Sequence, residues 1–271
     1  MKRAIVLDLC LGVMILVLPS VIAVSALAQD FKAILANPDR PAGERALDAS
    51  RKPEDVLRFY GVKPGDKAAD LMAGRGYYTA ILSRVTGDKG VVYSASENVR
   101  KELRERLQNP TFANVRPIEG KMDAVALPSD GSLDFVLIHL NYHDLQPDTR
   151  TAMNRRIFAA LRPGGVYGIV DHSAKEGSGN EVTHTLHRID KAMVIKEVTA
   201  TGFMLAKEGD MLRNPGDNRT ESVFVDRGKS DRFVLRFEKP RQRLSFRQSI
   251  QPVNDKVNPL PVPPLSAHSN P

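Results

Sequence analysis

One cysteine, Cys10, occurs in 271 residues, and it lies in the apolar N-terminal stretch, so no disulfide framework holds this fold together. Aromatic residues make up 6% of the chain and charged residues 26%, against 42% hydrophobic. That balance suits a globular chain with a core and excludes a collagenous or wholly disordered one. Past the N-terminal stretch no long apolar run occurs, which excludes a polytopic membrane protein. Long blocks of Lys or Arg are also missing. The 39 basic and 32 acidic residues leave a net charge of +7 that is spread along the chain, and no nucleic-acid partner is expected. There is no internal repeat, and the length allows one ordinary domain or two small ones.

What is present begins with an address. Lys2 and Arg3 precede an almost uncharged run over 9–28, which closes on Ala26-Leu27-Ala28 before Gln29-Asp30 in the small-residue pattern of a signal peptidase site. The expectation is a signal peptide over 1–28 and a periplasmic or secreted protein with no stable membrane insertion once it is cut. The run is also long enough to span a bilayer, so the alternative is a chain anchored by an uncleaved N-terminal segment. Residues 29–65 read as a polar helical extension broken at Pro38, Pro41 and Pro53, with a helix over 54–60. Residues 241–271, with Pro259, Pro261, Pro263 and Pro264 among few large apolar residues, cannot supply a core and are expected to be disordered.

Between these, residues 66–240 alternate short apolar runs with helical spacing, as repeated β-α units of a parallel sheet do. Seven strands are expected at 67–72, 90–95, 114–119, 133–139, 166–171, 202–208 and 232–238. Helices are expected at 78–85, 99–108, 149–161 and 185–199. The last two strands have no helix between them and are expected to pair as an antiparallel hairpin with a long loop.

The strongest site signal is Asp70-Leu71-Met72-Ala73-Gly74-Arg75-Gly76-Tyr77-Tyr78-Thr79, where the first strand ends and the first helix begins. Glycines there let the backbone turn tightly beside a ligand, and the helix N-terminus offers unpaired N–H groups. A dinucleotide site would want a third glycine where Thr79 stands. Leu127-Pro128-Ser129-Asp130-Gly131-Ser132-Leu133-Asp134-Phe135-Val136 and Leu161-Arg162-Pro163-Gly164-Gly165 follow in order. On these three motifs the segment 66–240 resembles class I S-adenosylmethionine-dependent methyltransferases. Within them it is similar to a set of exported bacterial methyltransferases, through Gly76-Tyr77-Tyr78-Thr79, Asn141-Tyr142-His143-Asp144, His187-Arg188-Ile189-Asp190 and the run from Arg232 to Pro240.

The resemblance implies an α/β, Rossmann-like seven-stranded, mostly parallel sheet with a C-terminal antiparallel hairpin and helices on both faces. It implies S-adenosylmethionine as cofactor, with Asp70, Gly74, Gly76 and Thr79 around its methionine end. Asp123 falls where the family contacts the adenine amino group, or else serves as a helix or turn cap. The family's acidic ribose ligand has no direct counterpart: Ser96 holds the place, and Glu97 follows it. Asn141, which opens the motif after the fourth strand, is grouped with the cofactor-binding residues.

Methyl transfer needs in-line alignment in a dry pocket, and a base when the acceptor must lose a proton. His143 with Asp144 reads either as that base and its orienting partner or as residues that close the loop and cap the next helix. His172 and His187 are placed to reach the same mouth, beyond the strand C-termini, while His139 reads as a core histidine. Arg45 and Arg51 are candidate contacts for a substrate carboxylate or phosphate. No metal site is expected: His184 and His187, three apart, are a poor ligand set without a cysteine pair or H-E-x-x-H. The expected activity is methyl transfer to a small-molecule acceptor. The alternative is an exported, non-enzymatic ligand- or cofactor-binding protein with a degenerate methyltransferase fold.

Overall fold

Successive strand residues point to opposite faces of a sheet, and both faces of this one are buried. Four short helices, α1 (Phe31–Ala36), α2 (Ala42–Arg45), α3 (Asp48–Arg51) and α4 (Pro53–Tyr60), lead to β1 (Lys67–Leu71) and α5 (Tyr77–Thr86). Then come β2 (Val91–Ser96), α6 (Lys101–Arg106), β3 (Val115–Glu119), β4 (Leu133–His139), α7 (Pro147–Ala160) and β5 (Leu161–His172). The chain closes with α8 (Lys191–Thr199), β6 (Met204–Gly209) and β7 (Arg232–Glu238). The computed structural model describes residues 30–241; the expected signal peptide with Cys10 and the expected tail past Arg241 lie outside the described residues.

The strands form one sheet in the order β3-β2-β1-β4-β5-β7-β6. β1 to β5 pair in parallel, and β7 runs antiparallel to both β5 and β6. Phe135 and Leu137 of β4 pack with α4 and α5 on one side. Val136 and Ile138 pack with α7 and α8 on the other. Tyr60 of α4 lies flat on the sheet, its hydroxyl donating to the Ile169 carbonyl at 3.2 Å. Only a glycine opposite permits this, since a Cβ on Gly168 would stand 2.7 Å from the Tyr60 ring. The seven-stranded Rossmann-like sheet with its closing hairpin is therefore the architecture expected from the motifs.

Two elements differ from the expected spans by more than two residues. The helix assigned to 185–199 starts only at Lys191, because Asp190 caps it by accepting from the Ala192 amide at 2.9 Å. The other Asp190 oxygen accepts from Gly177 N–H at 2.8 Å, which folds the preceding segment back as turns. Ile189 meets Ser173 in an isolated parallel bridge, so His184 and His187 sit on a loop rather than a helix. β5 also starts earlier than expected, with Leu161 opposite Leu133 before an irregularity in the pairing with β4.

The chain winds outward from β1 to β3, then crosses back to lay β4 on the other side of β1. Ligands bind beyond the strand C-termini at such a switch point.

Candidate active site

Asp70, one residue from the end of β1, is almost fully buried. Its Oδ2 accepts the Thr79 hydroxyl at 2.6 Å, and Thr79 Oγ1 lies 2.9 Å from Ser94 Oγ. Burial pushes the Asp70 carboxyl up to about 6, against the Thr79 hydrogen bonds and the more distant positive charge of Arg51. Among the described residues no ion pair joins Asp70 to a basic side chain, so the fold holds a desolvated carboxylate whose short side-chain contact there is a hydroxyl. The turn beyond it passes through left-handed backbone at Met72, Gly74 and Gly76. A Cβ on Gly74 would meet nothing nearer than 3.9 Å, which leaves the space beside this backbone open. At Gly76, the N-cap of α5, a Cβ would lie 2.7 Å from Leu103 Cδ1; this glycine serves the approach of α6.

The N-terminal helices form one wall of the cavity above this turn. Arg40, buried and bidentate on Asp48 at 2.6 and 2.7 Å, fixes the carboxylate that accepts the Tyr77 hydroxyl at 2.6 Å. Arg106 of α6 pairs with Glu44 at 2.7 Å, and Arg232 of β7 donates to the Ser50 carbonyl at 2.8 Å. The enclosed space is open to solvent and has a volume of about 1140 Å³, enough for a cofactor and an acceptor together. Asp70, Gly74 and Asn141 line it with His143, Asp144 and His187.

Three histidines converge at the β4 and β5 ends. Leu140, left-handed at φ 62°, turns the chain out of β4 into a 3-10 turn at Tyr142–Asp144. Tyr142 anchors that turn: its hydroxyl donates to Glu197 at 2.9 Å and accepts from Asn154. His143 then binds the fully buried Asp171 twice, through its backbone N–H at 2.8 Å and its Nδ1 at 2.7 Å. Its Nε2 faces Asp144 Oδ1 at 3.2 Å, and that same oxygen lies 3.5 Å from His187 Nδ1. Asn141 Nδ2 donates to the other Asp144 oxygen at 2.9 Å. Burial works against a charge on His143, but Asp171 and Asp144 overcome it and raise the imidazole to about 10. His172 is pushed far the other way by burial and by the charges of Arg232 and His143. Its Nδ1 is 2.7 Å from Ser230 Oγ.

The sequence-predicted residues thus divide. His143, Asp144, His187 and Asn141 form one cluster on the cavity wall, with Asp70 and Gly74 on the same cavity. The Nδ1 side of His143 is held by Asp171, while Asp144 faces Nε2, so Asp144 is not the residue that orients the ring from behind. Thr79 is buried behind Asp70, off the cavity wall, and acts on the site through that carboxylate. Gly76, Glu97 and Asp123 do not line the cavity. Glu97 is exposed on the loop after β2. Asp123 is exposed in a 3-10 turn, where its carbonyl accepts from Arg156 at 2.7 Å. Arg51 lines the cavity over the Tyr77 ring at 4.4 Å, whereas Arg45 turns away to the Pro38 and Arg40 carbonyls. His184 faces Gln146 at 3.2 Å, away from the cluster.

His139 is buried as expected of a core histidine, yet it also lines the cavity with an Nε2 that has no hydrogen-bond partner among the described residues. The Tyr78 hydroxyl, on the ring tilted against it at 4.6 Å, is likewise unpartnered among the described residues. Asp171 is the residue that sequence reasoning missed. The available signal was an acid closing the apolar run of β5, beside the strand whose end carries His143.

Residues 68–165 match the family described as a methyltransferase domain. The demethylmenaquinone methyltransferase of Geobacillus stearothermophilus is 30% identical over 115 residues, covering 42% of this chain and 48% of that protein. The chain spans about half the length of the curated relatives it matches. A SAM-dependent methyltransferase from Aquifex aeolicus superposes with a TM-score of 0.56 at 18% identity, over 72% of this chain and 93% of that one. The 1,6-didemethyltoxoflavin-N1-methyltransferase of Burkholderia thailandensis, solved with 1,6-didemethyltoxoflavin and S-adenosylhomocysteine, superposes at 0.53 and 20%, over 71% and 78%. The fold is the Rossmann-like fold of these methyltransferases.

Proposed function

We propose that this protein transfers the methyl group of S-adenosylmethionine to a small-molecule acceptor. The observation that carries the reading is Asp70: a buried carboxylate, unpaired by any basic side chain among the described residues, at the switch point of a methyltransferase fold and on the wall of the cavity. A carboxylate so placed fits the ammonium of the cofactor's methionine end. The open left-handed backbone at Gly74 leaves room for the same group, and Arg51 offers a guanidinium to its carboxylate. When bound, the cofactor supplies an electrophilic methyl. The chain's part is to align the acceptor against it and exclude water. His143, Asp144 and His187, across the cavity from the Asp70 turn, are the groups that would hold the acceptor's nucleophilic atom.

One observation favours the rival reading, a binding protein without turnover. Glu97 is exposed and does not line the cavity, and the Ser96 hydroxyl is buried without a partner among the described residues, so the end of β2 brings no carboxylate to the cavity wall. Calorimetric titration of the full chain with S-adenosylmethionine and S-adenosylhomocysteine, followed by a screen with labelled methyl groups, separates the readings. Micromolar binding of both and label transfer to an acceptor are expected; failure of both to bind at millimolar concentration would overturn the proposal. The pattern over 1–28 supports export to the periplasm or medium. Mature protein recovered from cells should begin at Gln29, and recovery with Met1 intact in the membrane fraction would favour the anchored form.

A further inference from the structure

We infer that His143, Asp144 and His187 form a binding site for one divalent transition-metal ion on the wall of the cavity. One ligand atom from each lies within 4.8 Å of the others. A zinc-like ion holds nitrogen and oxygen ligands at about 2.0–2.2 Å, which puts neighbouring ligand atoms of a tetrahedron about 3.3–3.6 Å apart. The two edges that meet at Asp144 Oδ1 measure 3.2 Å to His143 Nε2 and 3.5 Å to His187 Nδ1. Two of the three edges therefore stand at coordination spacing, and the third, within 4.8 Å, closes by at most about 1.2 Å when the half-exposed His187 ring moves onto an ion.

The surroundings are those of a built site. A metal-binding imidazole usually gives its other nitrogen to a carboxylate, which fixes the ring and raises its basicity. His143 does so to Asp171, which is fully buried and also accepts from two backbone amides. The second oxygen of Asp144 is taken by Asn141. His187 is oriented by the Phe224 ring at 4.3 Å on one side. On the other, its neighbour Arg188 is locked by Asp217 and by the Ser173 and Glu221 carbonyls. The backbone carries left-handed, non-glycine conformations at Leu140 and His187, at the two points where the chain delivers these ligands. Strain of that kind persists where the surrounding structure enforces it, and it gathers at functional sites.

The donor set also selects the ion. Two imidazole nitrogens and one carboxylate oxygen suit Zn²⁺, Fe²⁺ or Co²⁺, and among the described residues there is no thiolate to draw a softer metal. Mg²⁺ and Ca²⁺ prefer all-oxygen cages. Asp144 and Asp171 together balance a dication. Three protein ligands leave at least one position open to the cavity, which suits an oxygen or nitrogen of the acceptor. That last step rests on the methyl-transfer reading; binding of the ion does not.

The test uses the untagged full chain, stripped with chelator and titrated with Zn²⁺ and with Co²⁺. One ion per chain is expected, with a visible Co²⁺ absorption of a nitrogen- and oxygen-ligated site. His187→Ala and Asp144→Asn should each weaken binding by about 100-fold or more. Asp171→Asn should weaken it by about 10- to 100-fold with the stoichiometry kept, as outer-shell partners do. Thermal unfolding of each variant shows that the fold is retained, and His187, half-exposed on its loop, is the variant least dependent on packing. Absence of binding at millimolar ion, or affinity unchanged by His187→Ala, would overturn the site. Metal binding in a chain that does not bind S-adenosylmethionine would instead leave the site standing and remove the methyl-transfer reading.

Discussion

Asp70 carries the cost and the use of this site in one side chain. Its carboxyl is held near 6 by burial, above the usual 3.8, so in the folded chain the ionised form at neutral pH costs about 3 kcal/mol. The sign follows from the raised value. Relative to the unfolded chain, Asp70 is no burden below about pH 4, and its penalty builds between about pH 4 and 6 and is constant above that. Asp70→Asn removes the charge and keeps an acceptor for Thr79. The variant should match the wild type at pH 4 and exceed it at pH 8 by about 2 kcal/mol in urea unfolding, allowing for the new amide N–H left to satisfy. A variant less stable than the wild type at pH 8 would mean that the carboxylate is well solvated after all. Asp70 and the glycines were legible in the sequence because a strand end, a turn and a helix start lie within ten residues. The partnership of His143 with Asp171 was not, since 28 residues separate them and only the pairing of β4 with β5 brings them together.

At the scale of elements, the N-terminal helices are part of the site rather than an appendage. Their attachment runs through Arg40, Asp48 and Tyr77, with Arg40 almost without solvent exposure. Breaking a buried pair leaves an uncompensated charge, so Asp48→Ala should cost about 3 kcal/mol. It should also raise amide exchange across residues 31–51 more than in the sheet, as read by mass spectrometry. Uniform exchange over the whole chain would contradict the wall as a separable unit. Regular elements followed their apolar periodicity closely: β4 and β7 fall on the expected residues 133–139 and 232–238. The loop at 173–190 did not. Its residues have helical spacing, but Asp190 binds backward to Gly177 and forward to Ala192, and this local bonding overrides the period.

For the whole molecule, one sheet gathers distant sequence to a single mouth. β1 supplies the acid and the glycine turn, β4 and β5 the histidines and Asp171, and β7 the Arg232 that ties to the N-terminal wall. The seven strands and the closing hairpin were expected from the sequence, but the loops that face one another across the mouth were not, because nothing local records which loops a crossover makes neighbours. Glu97 misses the cavity for a local reason: β2 ends on the buried Ser96, and the residue after it is already exposed.

If the buried Asp70 charge is completed by the cofactor's ammonium, as proposed, cofactor binding is linked to a proton, and that linkage is the most direct test. The affinity of the full chain for S-adenosylhomocysteine should be measured by calorimetry between pH 5 and 7, for the wild type and for Asp70→Asn. The wild type should lose affinity as pH falls below about 6, by up to tenfold per unit, while the variant binds weakly with no such slope. Equal affinity in the two proteins, flat across that range, would contradict the assignment of this cavity to the cofactor.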